Sequence, residues 1–397
     1  MTDWLEARFD TIVRIGEGQV DPRFEPYRSM VHVGPDNIES GTGRLSGLRT
    51  AAELNLVSGK YLFDEEAILY SKIRPNLNKV ARPQLKGLCS ADVYPLWADG
   101  EVITSAYLHL YMLMAPAFLY EATSRSNRTG LPKVNREELG SIRIRFPRNL
   151  EHQQRVADAL LTWGEAIEKT DQLLSAKRRE MVGRFLFAAS RAPGTATRIG
   201  DICDVSRGQG LQKDDLSPDG AHPCILYGEL HTTYGEVVTR VRSKTDAFTP
   251  TRSQRGDVLI PSSSETSEDL ANATALNQDD VLLGGDINIL RPKRPGAYDS
   301  EYFAYYLTHA RRKEIARLAQ GNAVVHLYGR DIAGLRVTLP DIARQRRVAT
   351  ALAYGRREAA ALEGVRDRYL TQRRGVAQAL FGRTTPAVEA RVGGRES

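Results

Sequence analysis

The sequence predicts an α+β protein with an internal two-fold repeat: two similar mixed blocks, separated by two long helices that pack on each other. Three observations predict it. Arg155-Val156-Ala157-x-Ala159-Leu160 returns as Arg347-Val348-Ala349-x-Ala351-Leu352. Each copy follows a strand-like run ending in proline, Ile142 to Pro147 and Leu335 to Pro340. Each is also preceded by a block with the same order of elements: strands, polar loop, strand, helix, polar loop, strand.

Composition sets the bounds. With 397 residues, 41% hydrophobic and 26% charged, the chain is ordinary globular material, long enough for two or three domains. No apolar run approaches the roughly 18 residues that span a bilayer. The longest, Leu108 to Tyr120, contains a proline and reads as core helix. The N-terminus lacks the basic-then-apolar order of a signal peptide, so a cytoplasmic location with no membrane partner is expected. Cys89, Cys203 and Cys224 have neither close pairing nor metal-ligand spacing and read as reduced core thiols. A net charge of +6 and a pI of 9.1 are common among soluble proteins and fit a nucleic-acid partner.

Along the first block, Gly16-Glu17-Gly18 lacks the strand, helix and third glycine of a dinucleotide site. Ala67 to Ser71 is a short apolar run, expected as a buried strand. It feeds a loop, Lys72-Ile73-Arg74-Pro75-Asn76-Leu77-Asn78-Lys79-Val80, where proline and asparagines end the strand. Lys72, Arg74 and Lys79 can hold phosphates; Arg74, Asn76 and Asn78 can reach base edges. Cys89 to Leu96 alternates as a strand, and Ser105 to Thr123 reads as one helix. A second polar loop brings Ser126, Asn127, Arg128, Thr129 and Lys133.

The first long helix carries apolar residues at Val156, Leu160, Trp163, Ile167, Leu174 and Met181, a heptad seam with Thr170, Lys177 and Arg184 in its other slots. In the second copy Leu352, Leu362, Val365, Tyr369 and Val376 form a similar stripe, with a three-residue phase shift between Leu352 and Leu362. A helix of about forty residues is roughly 60 Å long at 1.5 Å per residue.

Between the two helices, Gly256-Asp257-Val258-Leu259-Ile260 reads as a buried strand. Gly285-Asp286-Ile287-Asn288-Ile289-Leu290 matches Ala91-Asp92-Val93-Tyr94-Pro95-Leu96. The polar loops of this block carry Gln209 and Lys213, then Ser262, Ser263, Ser264 and Thr266, then Asn322 and His326. For each of these loop residues the alternative is a solvated surface. The shared parts are framework and the polar loops differ, as expected of two copies that read different things. No methyl-transfer, Walker, nuclease or His-Glu-x-x-His pattern occurs, so no catalytic or metal-ligating residue is expected, and the seven scattered histidines read as structural or exposed.

The Lys72 loop with its preceding strand, the Gly256 strand and the doubled Pro-x-x-x-x-x-Gln-x-Arg-Val helix start, one residue longer in the first copy, resemble the specificity (S) subunit of type I restriction–modification enzymes. The resemblance spans nearly the whole chain. It implies target-recognition domains at 1–146 and 191–339, and central helical regions at 147–190 and 340–383 packed as an antiparallel coiled coil. Residues 384–397 would be a disordered tail. It also implies a non-catalytic chain that reads a split site on double-stranded DNA through the loop residues named above. Leu160, Ile167 and Leu174 would pair with Leu362, Val365 and Tyr369 as a spacer. Two modification (methyltransferase) subunits would methylate adenine with S-adenosylmethionine. Restriction and translocase subunits would use ATP and Mg, leaving this chain without a cofactor. The alternatives are a specificity subunit of another DNA-modification or phage-defence complex, a stand-alone DNA methyltransferase or nuclease, and a coiled-coil scaffold that binds no DNA.

Overall fold

The computed structural model describes residues 3–126 and 132–382. The expected tail, 384–397, therefore lies outside the described residues. The chain forms two compact units, Met1–Asp171 with Gly364–Ser397, and Gln172–Glu363. Each unit takes one mixed block and one half of each long helix.

In the first unit an antiparallel sheet runs in the order Val13–Ile15, Val93–Ala98, Ile68–Ser71, Val80–Ala81. Ile68–Ser71 is buried at every position, so it reads as an apolar run and not as an alternation. A second sheet orders Arg49–Thr50, Val31–Val33, Gly87–Cys89 and Tyr61–Phe63, with its middle pair parallel. Trp4–Arg8 pairs with Arg143–Pro147 and brings together the two ends of the block. Phe118 packs on Phe9 at 6.3 Å and edge-on to Tyr70 at 5.9 Å.

The second unit repeats this plan. Its antiparallel sheet runs Cys203–Arg207, Ile287–Pro292, Asp257–Pro261, Thr274–Leu276. Ser243–Thr245, His222–Ile225 and Leu282–Leu283 form a smaller sheet, again with a parallel pair, and Thr195–Arg198 pairs with Arg336–Leu339. Ile68 faces Leu96 as Val258 faces Leu290, so the two blocks share one register. All three cysteines are buried and free.

The long helices span Leu150–Ser190 and Ile342–Phe381. Asn149 Oδ1 accepts from the His152 amide, and Asp341 Oδ1 accepts from the Arg344 amide, so these residues cap the two helices. The extra residue of the first copy is Arg148, which precedes the cap and leaves the cap-to-glutamine spacing unchanged. The repeated glutamines are fully buried. Gln153 donates to the Pro147 and Val102 carbonyls and accepts from the Thr104 amide. Gln345 donates to the Pro340 carbonyl and accepts from the Asp299 amide. Thr104 and Asp299 are themselves the caps of Ser105–Met114 and Ser300–Tyr305. One side chain thus ties the start of a long helix to the start of a domain helix, twice. Gln153→Leu orphans buried backbone groups at about 1–3 kcal/mol each, and we expect denaturant unfolding to show a loss of about 2–4 kcal/mol. Stability equal to the wild type would contradict this.

Within the first unit the helix halves run antiparallel. Trp163 lies 5.5 Å from Tyr369, and Asp171 pairs with Arg366 at 3.7 Å. Within the second unit they do so again, with Lys177 on Glu358 at 2.6 Å and Met181 against Gly355. Leu160, Ile167 and Leu174 are buried, while Leu362, Val365 and Tyr369 are half-buried. Leu352 and Ala359 are buried, and a Cβ on Gly355 would come within 2.8 Å of the Met181 sulfur. With these small residues included, the heptad runs unbroken to Leu362, and the three-residue step falls between Leu362 and Val365.

The single helix expected from Ser105 to Thr123 is two, Ser105–Met114 and Pro116–Arg125. Pro116 has no amide hydrogen and pushes Ala115 out of the helical region, to φ −78° and ψ 118°.

His32 and His109 are held neutral. Burial is the larger cause for each, and nearby cations are the smaller: Lys60 for His32, Arg82 and Arg373 for His109. Both fall from 6.5 to about 4. Between those values the unfolded chain binds more protons than the folded one, so stability falls as pH drops through that window. Unfolding measured across the window should show a shallower fall in His32→Gln than in the wild type. Equal slopes would contradict the assignment.

Candidate nucleic-acid interface

In the first unit the strand Ile68–Ser71 delivers the chain to one end of the sheet. There the Lys72 amide donates to the Asp92 carbonyl, and the Lys72 carbonyl accepts from the Val134 amide. Arg74 donates its amide to the Pro132 carbonyl. The Lys72 loop and the loop ending at Val134 therefore lie side by side. Lys72 Nζ and Lys133 Nζ each stand 3.8 Å from Asp92 Oδ1. The Lys72 side chain is 12% exposed and lies over the Tyr94 ring at 5.1 Å, whereas Lys133 is 51% exposed. Burial first, and Lys133 second, lower the Lys72 pKa. Arg136 completes the wall, donating to the Gly16 carbonyl and lying 5.0 Å over Tyr94. Arg74 and Asn78 flank the turn Pro75–Leu77 at φ 48° and 45°. Non-glycine residues hold that conformation at a cost of about 1–2 kcal/mol each, and such strain is common in loops shaped for binding.

The second unit builds the same corner with different side chains. The Ser262 amide donates to the Asp286 carbonyl, and the Ser262 carbonyl accepts from the Leu327 amide. By these matched bonds Ser262 stands where Lys72 stands, Ser264 where Arg74 stands and His326 where Lys133 stands. Asp286 matches Asp92, and it takes an ion pair from Arg207 and a hydrogen bond from Ser262 Oγ. Ser263–Ser264 pairs with Val325–His326, and Ser263 Oγ lies 3.1 Å from His326 Nδ1. Main-chain bonds of 2.7 and 2.9 Å between Gln320 and His326 close a hairpin with Asn322 exposed near its tip. The exposed Gln209 is anchored by Thr249, whose hydroxyl donates to the Gln209 carbonyl at 2.7 Å. Lys213 is exposed on the same loop.

Comparison with family models finds no match. Among curated proteins the chain is 32% identical over 209 residues to the type I restriction enzyme EcoDI specificity subunit of Escherichia coli. That match covers 52% of this chain and 46% of the relative, less than half its length. Among solved structures, the type I restriction–modification S subunit from M. genitalium superposes with a TM-score of 0.59 at 14% identity, over 97% of each chain. The chain has the fold of a type I S subunit. A chain from a type I R-M system, described for its complex assembly and conformational transition, agrees, with a TM-score of 0.57 at 18% identity over 95% of this chain and 97% of that one. Sequence and fold thus resemble the same family.

On this S-subunit fold the expected contacts divide. Lys72, Arg74 and Lys133 come together, and so do Ser262, Ser263, Ser264 and His326. Asn76 is exposed beside Arg74, and Thr266 is exposed with its hydroxyl on Asp269 at 2.6 Å. Others are spent inside the fold, which corrects the expectation for them. Asn78 is buried and gives its amide to the Leu113 carbonyl at 2.7 Å. Lys79 Nζ donates to the Pro35 carbonyl at 2.6 Å. Ser126 is buried with its hydroxyl on the Thr123 carbonyl. Ser262 and Ser263 are also buried and shape the corner without facing solvent. Asn127, Arg128 and Thr129 lie outside the described residues. Asp92 and Asp286 were missed as site residues, although they occupy matching places in the sequence repeat. Arg136 and Arg207 carried no such signal. Among the described residues no cluster of His, Cys, Asp and Glu could hold a metal ion, and no helix is long and apolar enough to cross a membrane.

Proposed function

We propose that this chain is the DNA-recognition subunit of a type I restriction–modification complex, with one reader in each unit. The observation that carries the reading is the pair of equivalent corners: one frame, matched by main-chain bonds, built on Lys72 with Arg74 and Lys133 in one unit, and on the buried Ser262 with Ser264 and His326 in the other. A duplicated frame with unlike side chains suits an asymmetric, bipartite target. Lysine and arginine contacts to phosphates give affinity and register, while side chains on base edges give sequence. In this reading the recognition domains are 1–146 and 191–339, and the helical regions 147–190 and 340–383 form an antiparallel coiled coil that sets their spacing. The chain works in the cytoplasm, carries no catalytic group and binds no cofactor. Two modification subunits transfer methyl groups from S-adenosylmethionine to adenine, and restriction and translocase subunits use ATP and Mg. Genome-wide mapping of methylated adenine, with and without this chain, tests the proposal. Loss of one bipartite methylated motif is expected; an unchanged pattern would refute it.

The corners also rank the cations. Arg74 is exposed and its guanidinium makes no ion pair among the described residues, whereas Lys79 is held by Pro35. Arg74→Ala in the assembled complex should weaken binding to all DNA sequences alike and lower the salt slope by about 1. Lys79→Ala should leave the slope unchanged. Equal slopes in Arg74→Ala and wild type would show that this loop faces away from the backbone.

A further inference from the structure

In the first unit two arginines flank a buried histidine nitrogen, and the acid recorded beside them among the described residues is the exposed Glu66. His109 stands on the helix Ser105–Met114, Arg82 follows the strand Val80–Ala81, and Arg373 lies on the second long helix. Arg82 Nε, His109 Nε2 and Arg373 Nε are all buried and have no hydrogen-bond partner among the described residues. The charged groups that act on His109 are Arg82 and Arg373, and the Val80 backbone holds the ring from its other side. Burial alone acts on Arg373, which lowers its pKa. Among the described residues the ion pair recorded for these three groups is to Glu66, 72% exposed and 3.5 Å from Arg82. An uncompensated buried charge is costly, and unmade buried donors add to that cost.

The second unit shows what balance looks like on the same frame. The offset that equates Gln153 with Gln345 and Leu160 with Leu352 equates Gly164 with Arg356. Arg356 is paired with Glu301 and lies 5.8 Å over Tyr305. It also acts on Glu236, which is paired with His309 at 2.6 Å. In the first unit the position of Arg356 holds a glycine, and the nearest atoms to a Cβ built there belong to the Arg373 guanidinium, at 3.7 Å. A second glycine, Gly43, borders His109 Nε2: a Cβ there would lie 3.5 Å from it. The first unit thus gathers cationic groups where the second pairs Arg356 with Glu301 and His309 with Glu236, although Arg356 Nη1 is itself buried without a partner.

We propose that Arg82, His109 and Arg373 bind a small oxyanion of the phosphoryl class. Guanidinium forks are donors that oxyanions take up, and the hydroxyl of a protonated phosphate can donate to the neutral His109 Nε2, so one such anion suits both kinds of group. The site is separate from the DNA-reading corners and does not depend on that reading.

Inorganic phosphate titrated calorimetrically into the full chain tests it. Saturable binding with one site per chain is expected, weakened by about tenfold or more in Arg373→Gln and in His109→Gln, and unchanged in Arg184→Gln on the other unit. No saturable binding, or equal binding in the variants, would overturn the proposal. ATP and ADP are titrated alongside. Binding tighter than phosphate assigns the site to a nucleotide phosphoryl group, and equal or weaker binding assigns it to free phosphate. Displacement of phosphate by a short DNA duplex would give the cluster to the DNA backbone and overturn the small-anion site. Should the arginine variants fail to fold, Gly164→Glu and Gly164→Gln decide. A carboxylate supplied in place of the ligand should raise the melting temperature above that of the glutamine variant and abolish phosphate binding. Equal melting temperatures with phosphate binding retained would overturn the proposal.

Discussion

Replacing residues 1–146 with the corresponding block of a relative changes one half of the methylated DNA motif and leaves the other half as it was. The expectation rests on how each block is closed. Trp4–Arg8 pairs with Arg143–Pro147, so the ends of the block meet in one short ladder. The Gln153 clamp then fastens the block to the helix through Thr104 and Pro147. Val156, Leu160 and Phe381 of the long helices complete the block's core, so an exchange that keeps these contacts and the clamp leaves the register of the other block, whose own ladder is Thr195–Arg198 with Arg336–Leu339, undisturbed. Each good bidentate base contact discriminates by about 1–3 kcal/mol, so a half-site read by two or three of them is switched outright. Mapping methylated adenine in cells carrying the chimera gives the answer. A motif altered in both halves, with the chimera folded, would refute the division of labour.

Inserting seven residues into each long helix, after Asp171 and before Gly364, lengthens the unread gap of the motif or abolishes binding. A heptad preserves the seam through Leu160, Ile167 and Leu174 and adds roughly 10 Å at 1.5 Å per residue. DNA rises 3.4 Å per base pair, so the change amounts to about three base pairs. Those base pairs also turn the second half-site by about 100° at 10–10.5 bp per turn, which flexible joints must absorb if the longer site is to be bound. Burial of each seam leucine is worth about 1.5–3 kcal/mol, enough for several contacts to resist that torsion. Binding measured on duplexes of stepped gap length distinguishes the outcomes. Unchanged affinity for the original site would show that the helices do not set the spacing.

The sequence by itself determined the repeat, the apolar strand at Ile68–Ser71 and its counterpart at Asp257–Pro261, and the two long helices. These are local properties: a period of 3.6 or an unbroken apolar run is written in consecutive residues. It also marked the glutamine of each helix start, although not its work, because the partners of Gln153 at Thr104 and Val102 lie far back in the chain. The tertiary structure decided which polar loop residues remain free. Asn78 and Lys79 look like their neighbours Arg74 and Asn76 in composition. Yet Asn78 is spent on Leu113, 35 residues away, and Lys79 on Pro35, 44 residues away. Gly355 carries the helix seam because Met181 fills the space beside it, and Ala359 is buried on the same stripe, which a reading of large apolar residues passes over. The charge balance around Arg356 and the imbalance around Arg373 were likewise decided only in three dimensions. Burial and ion pairing depend on what the rest of the chain brings to a side chain, and the residue's own neighbours in sequence do not fix that.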